Sequence, residues 1–472
     1  MLGLFGTLNL GTRSLQTQQT GVEVTGQNLA NVNNPAYARQ RVQIQTSLTI
    51  PSAIGPMGTG AQAVGIQQLR DVLLDGQIRS EQSVGGYWAS QQSNLQNAQV
   101  NLGEFLDRQS NVNGTSATSA TSGLSGTLNS FFNAFGGVAT APTSLTARQT
   151  LVSQAQTLTN RFHDISQRLG EVQTVLRSSI DTDIGSANTL LTDIAKLNDL
   201  IAKSELPLGG KANDLRDLRE AKLESLTKLV NIETTDEADG SVSISIGGTA
   251  MVTGNQQVDS LESYAGGQGQ LYLRAATAQT NLTPTGGSIA GAINLQDNEI
   301  LALQNGINTL ASSIISQVNA LHSPGYDLAG NTGQNFFTGT GAADMAVNVN
   351  FITDPSQIQA AGVANATGDN SVALALAQLK DQPIVGLGNQ TLSNYYGKVV
   401  GDFGQALSGA NTQVANHQAV QTALLKQRDS VSGVSIDEEM TNLITYQKAY
   451  QASAKIVTTV DEMLDTILNM KR

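Results

Sequence analysis

The chain of 472 residues contains no cysteine, which excludes disulfide bonds, thiolate metal sites and thiol catalysis. No run of about 18 apolar residues is present that could span a membrane. The first residues lack a basic region followed by a long apolar run, so we expect no cleaved secretory signal peptide. Lysine and arginine are not clustered and the formal net charge is −12, which disfavours nucleic-acid binding. Taken alone, these absences predict a cytoplasmic protein, and its length predicts about two to four domains.

The sequence offers no catalytic, cofactor or metal site. His163, His322 and His417 lie far apart in the chain, so we expect exposed helix or loop residues and no ligand pair. The segment 58–63 matches G-x-G-x-x-A, but no helical pattern follows it, as a dinucleotide site would require. In the segment 326–331, Leu328 and Ala329 interrupt the oxygen ligands of a calcium loop, and Thr338 stands where a bidentate Glu would be needed, so a turn is predicted.

Glycine and proline are absent from the last segment, 435–472, although the chain contains 47 glycines. This contrast predicts one uninterrupted helix. Eight positions follow one another at alternating steps of three and four, the spacing of a coiled-coil seam. They are Leu443, Tyr446, Tyr450, Ser453, Val457, Val460, Leu464 and Ile467. Such a helix needs a partner, because an isolated helix rarely compensates the cost of ordering its backbone.

The start of this helix carries Ser435 and Glu438 in the S-x-x-E spacing of a capping box. Asp437, Glu438 and Glu439 also place negative charge at a helix N-terminus, where the helix dipole favours it. Helix capping therefore accounts for the carboxylate run, and acid–base chemistry is the weaker alternative.

A second heptad helix is predicted at the other end of the chain, from about residue 4 to residue 31. Its seam consists of residues spaced by seven, Leu8, Leu15, Val22 and Leu29. Apolar residues at helical spacing are most often ordinary core. The two terminal helices are too slender to form a domain alone, however, so the sequence favours an assembly interface made by both seams.

Between the terminal helices, periodicity predicts a half-exposed strand at 41–45 and a loop through 51–60. Further helices are predicted at about 69–105 with an interruption at Gly85-Gly86, and at 128–135, 146–204, 213–230, 288–322 and 392–430. A Ser/Thr/Asn-rich linker is expected at 110–122. Gly247-Gly248 predicts a β-hairpin turn, followed by a strand at 271–273. The insert 324–385 reads as irregular, with a strand at 347–351 and a helix at 372–379.

The predicted fold class is mainly α with an inserted β domain. Three domains are expected: a terminal coiled-coil domain, a long-helix domain containing the irregular insert, and a small β-rich outer domain. Their ranges are 1–60 with 431–472, 61–230 with 287–430, and 231–286.

The segment 28–37, NLANVNNPAY, resembles the N-terminal signature N-L-A-N-x-x-T-P-G-Y of bacterial flagellar rod, hook and hook-associated proteins. Asn34 stands in place of the threonine and Ala36 in place of the glycine. The segment 446–455, YQKAYQASAK, is similar to the other end of that family. The signature positions are Asn28, Asn31, Pro35, Tyr37, Gln447, Ala452 and Ser453. Chain length and the nested helical block are most similar to the hook-associated members that join hook and filament.

The resemblance implies a structural protein and no enzyme, an adaptor between hook and filament. It implies export in an unfolded state through the flagellar type III channel, which replaces the cytoplasmic prediction by an extracellular one. The terminal helices would pair into an inner tube with the β domain outside. The implied partners are further copies of the chain, the hook protein, hook-associated protein 3 and an export chaperone on the C-terminal helix. The alternatives are the hook protein itself, another axial component, or a secreted enzyme or adhesin that uses flagellar export.

Overall fold

The computed structural model describes residues 3–51, 55–102, 123–205, 210–267 and 270–470. The helices are α1 Leu4–Ala30, α2 Val72–Leu102, α3 Leu124–Thr140, α4 Leu145–Glu205, α5 Asn213–Leu229, α6 Gly287–Asn294, α7 Leu301–His322, α8 Val349–Thr353, α9 Ser371–Gln378, α10 Leu392–Ser432 and α11 Ile436–Asn469. A π-helical turn, Leu295–Ile300, joins α6 to α7. The predicted linker at 110–122 lies outside the described residues.

The strands are β1 Gln40–Thr46, β2 Thr49–Ile50, β3 Met57–Gly58, β4 Ala61–Gln68, β5 Glu233–Asp236, β6 Val242–Ile246, β7 Thr249–Thr253, β8 Gln256–Gln257, β9 Leu261–Ala265, β10 Leu271–Ala275, β11 Asn281–Leu282, β12 Phe337–Thr338 and β13 Ala346–Val347. The central group forms two antiparallel sheets, with strand orders β5-β6-β7-β8 and β11-β10-β9. The mainly α fold with an inserted strand-rich domain is thus confirmed.

The predicted hairpin turn is confirmed at Gly247-Gly248. Both glycines have positive φ, 55° and 79°, and they connect β6 to β7. Residues with a Cβ are strained in this region of φ/ψ space, so two glycines allow the two-residue turn.

The longest helix, α4, organises the body of the molecule. It runs 61 residues without a break, as its heptads predict, and passes through Gly170 and Gly185. Its buried side chains form one apolar core with α3, α7 and α10, in which Phe162, Leu191 and Ile194 are fully buried. Packing on several sides therefore gives α4 a complete set of partners within the chain.

The interruption predicted at Gly85-Gly86 is wrong, because α2 is continuous through both residues. A Cβ placed on Gly86 would lie only 2.3 Å from the carbonyl oxygen of Lys228, next to the end of α5. The glycine therefore permits close approach of two helices and does not break one. Helix formation costs about 1 kcal/mol for each such glycine, an amount that tertiary packing readily outweighs.

The predicted strand at 41–45 is confirmed as β1, but its partner β4 was not predicted. The segment predicted as a loop, 51–60, contains β3, which pairs with β2 just before it in a small additional hairpin. The β1–β4 ribbon lies against α1, where Arg13 donates a hydrogen bond to the Ser47 hydroxyl at 2.7 Å. The pairing of β4 with β1 crosses the proposed domain boundary at residue 60. The domain boundaries stay predictions.

The insert 324–385 contains the predicted helix as α9, but the strand predicted at 347–351 is wrong beyond Val347. Asn348 begins α8 instead, because its side chain accepts a hydrogen bond from the Asn350 N–H at 3.1 Å. The predicted turn at 326–331 is confirmed. The carboxylate of Asp327 accepts the backbone N–H groups of Ala329 and Asn331, both at 2.8 Å.

The prediction of an exposed His322 is wrong. The residue is fully buried at the end of α7, where it packs against the rings of Phe336 and Phe351. Its Nδ1 lies 2.9 Å from the Gln334 carbonyl oxygen, and its Nε2 accepts the Gln359 N–H at 3.0 Å. Burial lowers the pKa of His322 to about 4, so the ring is neutral at pH 7. Sequence spacing does not reveal this burial, because the partners come from the irregular insert that follows α7.

The other two histidines are less buried. His163 is exposed on α4, as predicted. His417 on α10 is half-buried and its Nδ1 lies 2.7 Å from the Glu81 carboxylate on α2. A contact between helices therefore accounts for His417.

Candidate assembly interface

The two terminal helices pair in antiparallel orientation. Gly11 of α1 lies against Val457 of α11, and Gly21 lies against the ring of Tyr446. A Cβ on either glycine would approach these side chains within 2.8 and 2.7 Å, respectively. The helices thus meet through small residues on α1, which allow a close approach.

The α1 side of this contact differs from the apolar seam expected from the sequence. Leu8, Leu15, Val22 and Leu29 are only half-buried. The fully buried positions of α1 are Gly11, Thr17, Gly21, Val24, Thr25 and Asn28. Small and polar residues fill this side because α1 also packs on the β1–β4 ribbon. A heptad search for large apolar residues does not detect such a face.

The α11 side follows its predicted seam in the middle of the helix. Ser453 and Val460 are buried, and the Ser453 hydroxyl lies 2.7 Å from that of Ser14 on α1. Four seam residues, Leu443, Tyr446, Val457 and Leu464, are half-buried. Tyr450 and Ile467 are exposed. The role of these seam residues, on both helices, in an interface between copies of the chain stays a prediction.

Asn28, the first signature residue, uses all the hydrogen-bonding capacity of its amide. Its Nδ2 donates to the Gln40 carbonyl oxygen at 2.8 Å and to Glu439 Oε2 at 3.0 Å. Its Oδ1 accepts from the Tyr37 hydroxyl at 2.8 Å and from the Gln40 N–H at 2.9 Å. One buried side chain therefore joins α1, the loop after it, β1 and α11. A buried amide with every hydrogen bond formed stabilises one specific arrangement of its neighbours.

Tyr37, another signature residue, donates its hydroxyl hydrogen to this network. Burial raises the pKa of Tyr37 well above its usual range, and nearby Asp214, Asp217 and Glu439 raise it further. The phenol consequently stays protonated and keeps its donor role.

The other signature residues have simpler surroundings. Asn31 donates one hydrogen bond to the Gln27 carbonyl oxygen at 3.0 Å. Pro35, Gln447 and Ala452 are exposed. The structure therefore brings together Asn28 and Tyr37, while Ser453 lies at the separate contact with Ser14.

The predicted capping box at the start of α11 is wrong, because the Ser435 side chain makes no capping hydrogen bond. Glu438 and Glu439 instead bind Arg39 in the loop before β1. The Arg39 guanidinium lies 2.6 Å from Glu438 and 2.7 Å from Glu439, and the latter carboxylate is buried. The backbone N–H of Arg39 also donates a hydrogen bond to the Ser432 carbonyl oxygen at 2.9 Å. Sequence spacing could not reveal this cation, some 400 residues away.

A second polar cluster, which we call the joint, connects the loop after α1 and the end of β4 to α2 and α5. It consists of Arg70, Asp75, Arg79, Asp217 and Glu220. Arg70 approaches Asp75 at 3.4 Å and Asp217 at 3.5 Å, while Arg79 binds Glu220 at 2.5 Å. Burial raises the pKa values of both aspartates to about 6, and Arg70 opposes the shift.

The joint separates two groups of buried apolar residues. The continuous core of the body begins along the chain at Leu95 and does not include Val24, Val42 or Val460 of the terminal region. Charged and hydrogen-bonded groups therefore form much of the connection between the terminal helices and the body.

Within the described ranges, no group of three or more His, Asp or Glu side chains could hold a metal ion. Over the same residues, every helix is too short or too polar to cross a membrane.

Comparisons with known proteins agree with the signature. A family model described as flagellar hook-associated protein FlgK helical domain matches residues 109–337. A second, described as flagellar basal body rod FlgEFG protein C-terminal, matches residues 426–470. The flagellar hook-associated protein 1 of Bacillus subtilis is 28% identical, with 99% of each chain covered. That of Salmonella typhimurium is 24% identical over 98% of this chain and 99% of the relative.

Other flagellar proteins match a smaller part of the chain. The flagellar hook protein FlgE of Caulobacter vibrioides is 36% identical over 121 residues, 25% of this chain and 19% of the hook protein.

The solved structure of the flagellar hook junction protein FlgK from Burkholderia pseudomallei has the same fold, with a TM-score of 0.65 at 17% identity. It covers 75% of this chain and all of that chain. The helical middle of the chain, its C-terminal end and its full length are thus all similar to flagellar axial proteins, and over the full length to relatives named flagellar hook-associated protein 1.

Proposed function

We propose that this protein is a structural adaptor that joins the hook to the filament of the bacterial flagellum. The observation that carries the proposal is similarity over the full length to relatives named flagellar hook-associated protein 1. Similarity to the hook protein covers only a quarter of the chain, which makes the hook protein the weaker alternative.

The terminal helices support a role in assembly. Only three residues of α11 are buried, although the helix has 34. Its exposed apolar residues include Ile436, Ile444, Met463 and Ile467. Apolar surface of this extent is typical of an interaction site. The body, in contrast, buries its core without help from another molecule.

The finer parts of the proposal concern partners and location. The chain leaves the cell through the flagellar export channel without a cleaved signal, and it contacts the hook protein and hook-associated protein 3. An export chaperone covers α11 before assembly, because the exposed apolar residues of this helix would otherwise favour aggregation. The protein acts by assembly and not by catalysis.

Deletion of the gene tests the proposal. The mutant should form hooks of normal length that lack filaments, and it should release flagellin into the medium. The full-length chain supplied in trans should restore filaments. Loss of the hook itself would support the hook-protein alternative, and normal filaments together with loss of an enzymatic or adhesive activity would support a secreted enzyme or adhesin.

Limited proteolysis provides a second test. In dilute monomer we expect trypsin to cleave within about residues 1–60 and 435–472 before it cleaves the body, since the terminal helices have few partners. Terminal segments as resistant as α4 would contradict folding that is completed by assembly.

A further inference from the structure

The surface of α11 divides into four sides when its residues are placed at about 100° intervals, as 3.6 residues per turn requires. One side faces α1 and includes Tyr446, Ser453 and Val460. The opposite side is polar except at its edge, where Ile444 lies in line with Glu462. Its members are Asp437, Thr441, Lys448, Lys455, Thr459, Glu462 and Thr466. Two sides remain between these faces.

Each remaining side carries an apolar stripe that occupies only half of the helix. The front stripe lies in the first half and consists of Ile436, Met440 and Ile444. The rear stripe lies on the other side in the second half and consists of Ile456, Met463, Ile467 and Met470. Every member of both stripes is at least 40% exposed.

Polar residues continue both stripes. Thr458, Asp465 and Asn469 follow the front stripe on its side of the helix, where the exposed Leu468 lies at the border with the α1 side. Glu438 and Thr445 precede the rear stripe on the other side. A neighbouring α11 in the same orientation and register would therefore place the front stripe beside polar residues. A neighbour shifted along the helix axis would place apolar residues beside apolar residues.

We propose that the front stripe of one copy packs against the rear stripe of a second copy of the chain. The two α11 helices are parallel and shifted by about 20–23 residues, or about 30–35 Å at 1.5 Å per residue. This inference rests on the proposed function and names the contact that assembly would use. Because the two stripes differ, the contact is heterologous and extends from copy to copy, and does not close as a two-fold dimer.

Disulfide cross-linking tests the shift directly, because the chain has no cysteine of its own. Met440→Cys and Met463→Cys are introduced together into the full-length chain, which is expressed in the deletion strain. Isolated flagella are then oxidised and examined by denaturing electrophoresis. We expect a ladder of cross-linked chains for the double variant and monomer for each single variant.

A matched control reports the unshifted arrangement. In this control, Met440→Cys is combined with Thr445→Cys, so that two neighbouring α11 helices without an axial shift would bring the two thiols together. The control variant should remain monomeric after oxidation. A ladder from this control, with monomer from the first pair, would overturn the proposal.

Two further outcomes are distinguishable. If neither pair cross-links although the variants restore filaments and are present in the flagella, other proteins cover the stripes and the second copy is the wrong occupant. If the deletion strain already forms filaments, the proposed function itself fails. Cross-linking therefore tests the contact between copies, and filament formation in the deletion strain tests the proposed function.

Discussion

The two long heptad helices α4 and α11 have similar sequence patterns and different surroundings. In α4, 20 of 61 residues are buried, whereas in α11 the number is three of 34. Helices and strands of the same chain cover α4 on several sides, but α11 has α1 as its main partner. An apolar heptad thus indicates that a helix will be covered, without indicating whether the same molecule covers it.

The chemistry of the contacts also differs between the body and the terminal helices. Large apolar side chains such as Phe162 fill the core around α4. At α1 and α11 the contacts are two glycines, a serine pair and the amide of Asn28. Substitutions should therefore affect the two regions through different mechanisms and to different extents.

The largest effect is expected for Phe162→Ala, in the body. The substitution should lower the free energy of unfolding by about 3–5 kcal/mol, because it leaves a cavity in a closely packed core. Chemical denaturation followed by the fluorescence of Trp88 measures the change. Val175→Ala on the same helix is the control; its side chain is 61% exposed, so its transition should hardly move. Equal losses from both variants would contradict a self-contained body core.

Asn28→Ala should have the next largest effect, confined to the terminal helices. It removes the hydrogen-bond partner of the Tyr37 hydroxyl, the Gln40 backbone and Glu439 Oε2, although Arg39 still binds the Glu439 carboxylate. The loss should cost about 3 kcal/mol. Hydrogen exchange of the α1 and α11 amides should accelerate while the Trp88 transition is unchanged. Asn31→Ala removes a single hydrogen bond and should cost about 1 kcal/mol. A parallel shift of the Trp88 transition would show that the two regions are not separate.

Gly21→Ala should weaken the pairing of α1 with α11 by about 1–3 kcal/mol, since the added Cβ would press on the ring of Tyr446. Gly26→Ala is the matched control on the same helix, where no atom lies within 4 Å of the added Cβ. That variant should stabilise α1 by about 0.5–1 kcal/mol. The half-life of the terminal segments under limited proteolysis should shorten in the first variant and lengthen in the second. The same response from both would argue against the close approach at Gly21.

The smallest effect concerns pH and the joint. Burial raises the pKa of Asp75 from 3.8 to about 6, so the folded state binds this proton more tightly than the unfolded state. The stabilising contribution of Asp75 is therefore complete below pH 3.8 and is lost as pH rises through about 6. Asp75→Asn should raise the melting temperature relative to the parent at pH 7.5, and the difference should shrink at pH 5. A difference independent of pH would contradict the raised pKa.

Local patterns predicted most helices and the β-hairpin. The helices α1, α4, α10 and α11 lie within a few residues of their predicted ranges, because apolar spacing and the absence of helix breakers act locally. The interruption at Gly85-Gly86 was wrong because a helix-breaking residue can also serve close packing. The capping box was wrong because the Arg39 guanidinium attracts the same carboxylates.

The candidate site was predicted less completely than the fold. The sequence identified Asn28 and Tyr37 as signature residues, but spacing says nothing about which four groups an amide will bind. Arg39, Gly11 and Gly21 were missed as contact residues. A single glycine or arginine has no periodic signal, and its role depends on a partner several hundred residues away.

The sequence alone determined most of the long helices, that both ends carry heptads, and that the chain resembles flagellar axial proteins. Short-range spacing and turn chemistry are sufficient for those conclusions. Only the tertiary structure decided which faces are covered, because burial depends on contacts between distant segments. It placed α1 antiparallel to α11 through small residues, buried His322 beneath an insert, and left two half-length apolar stripes on α11 exposed.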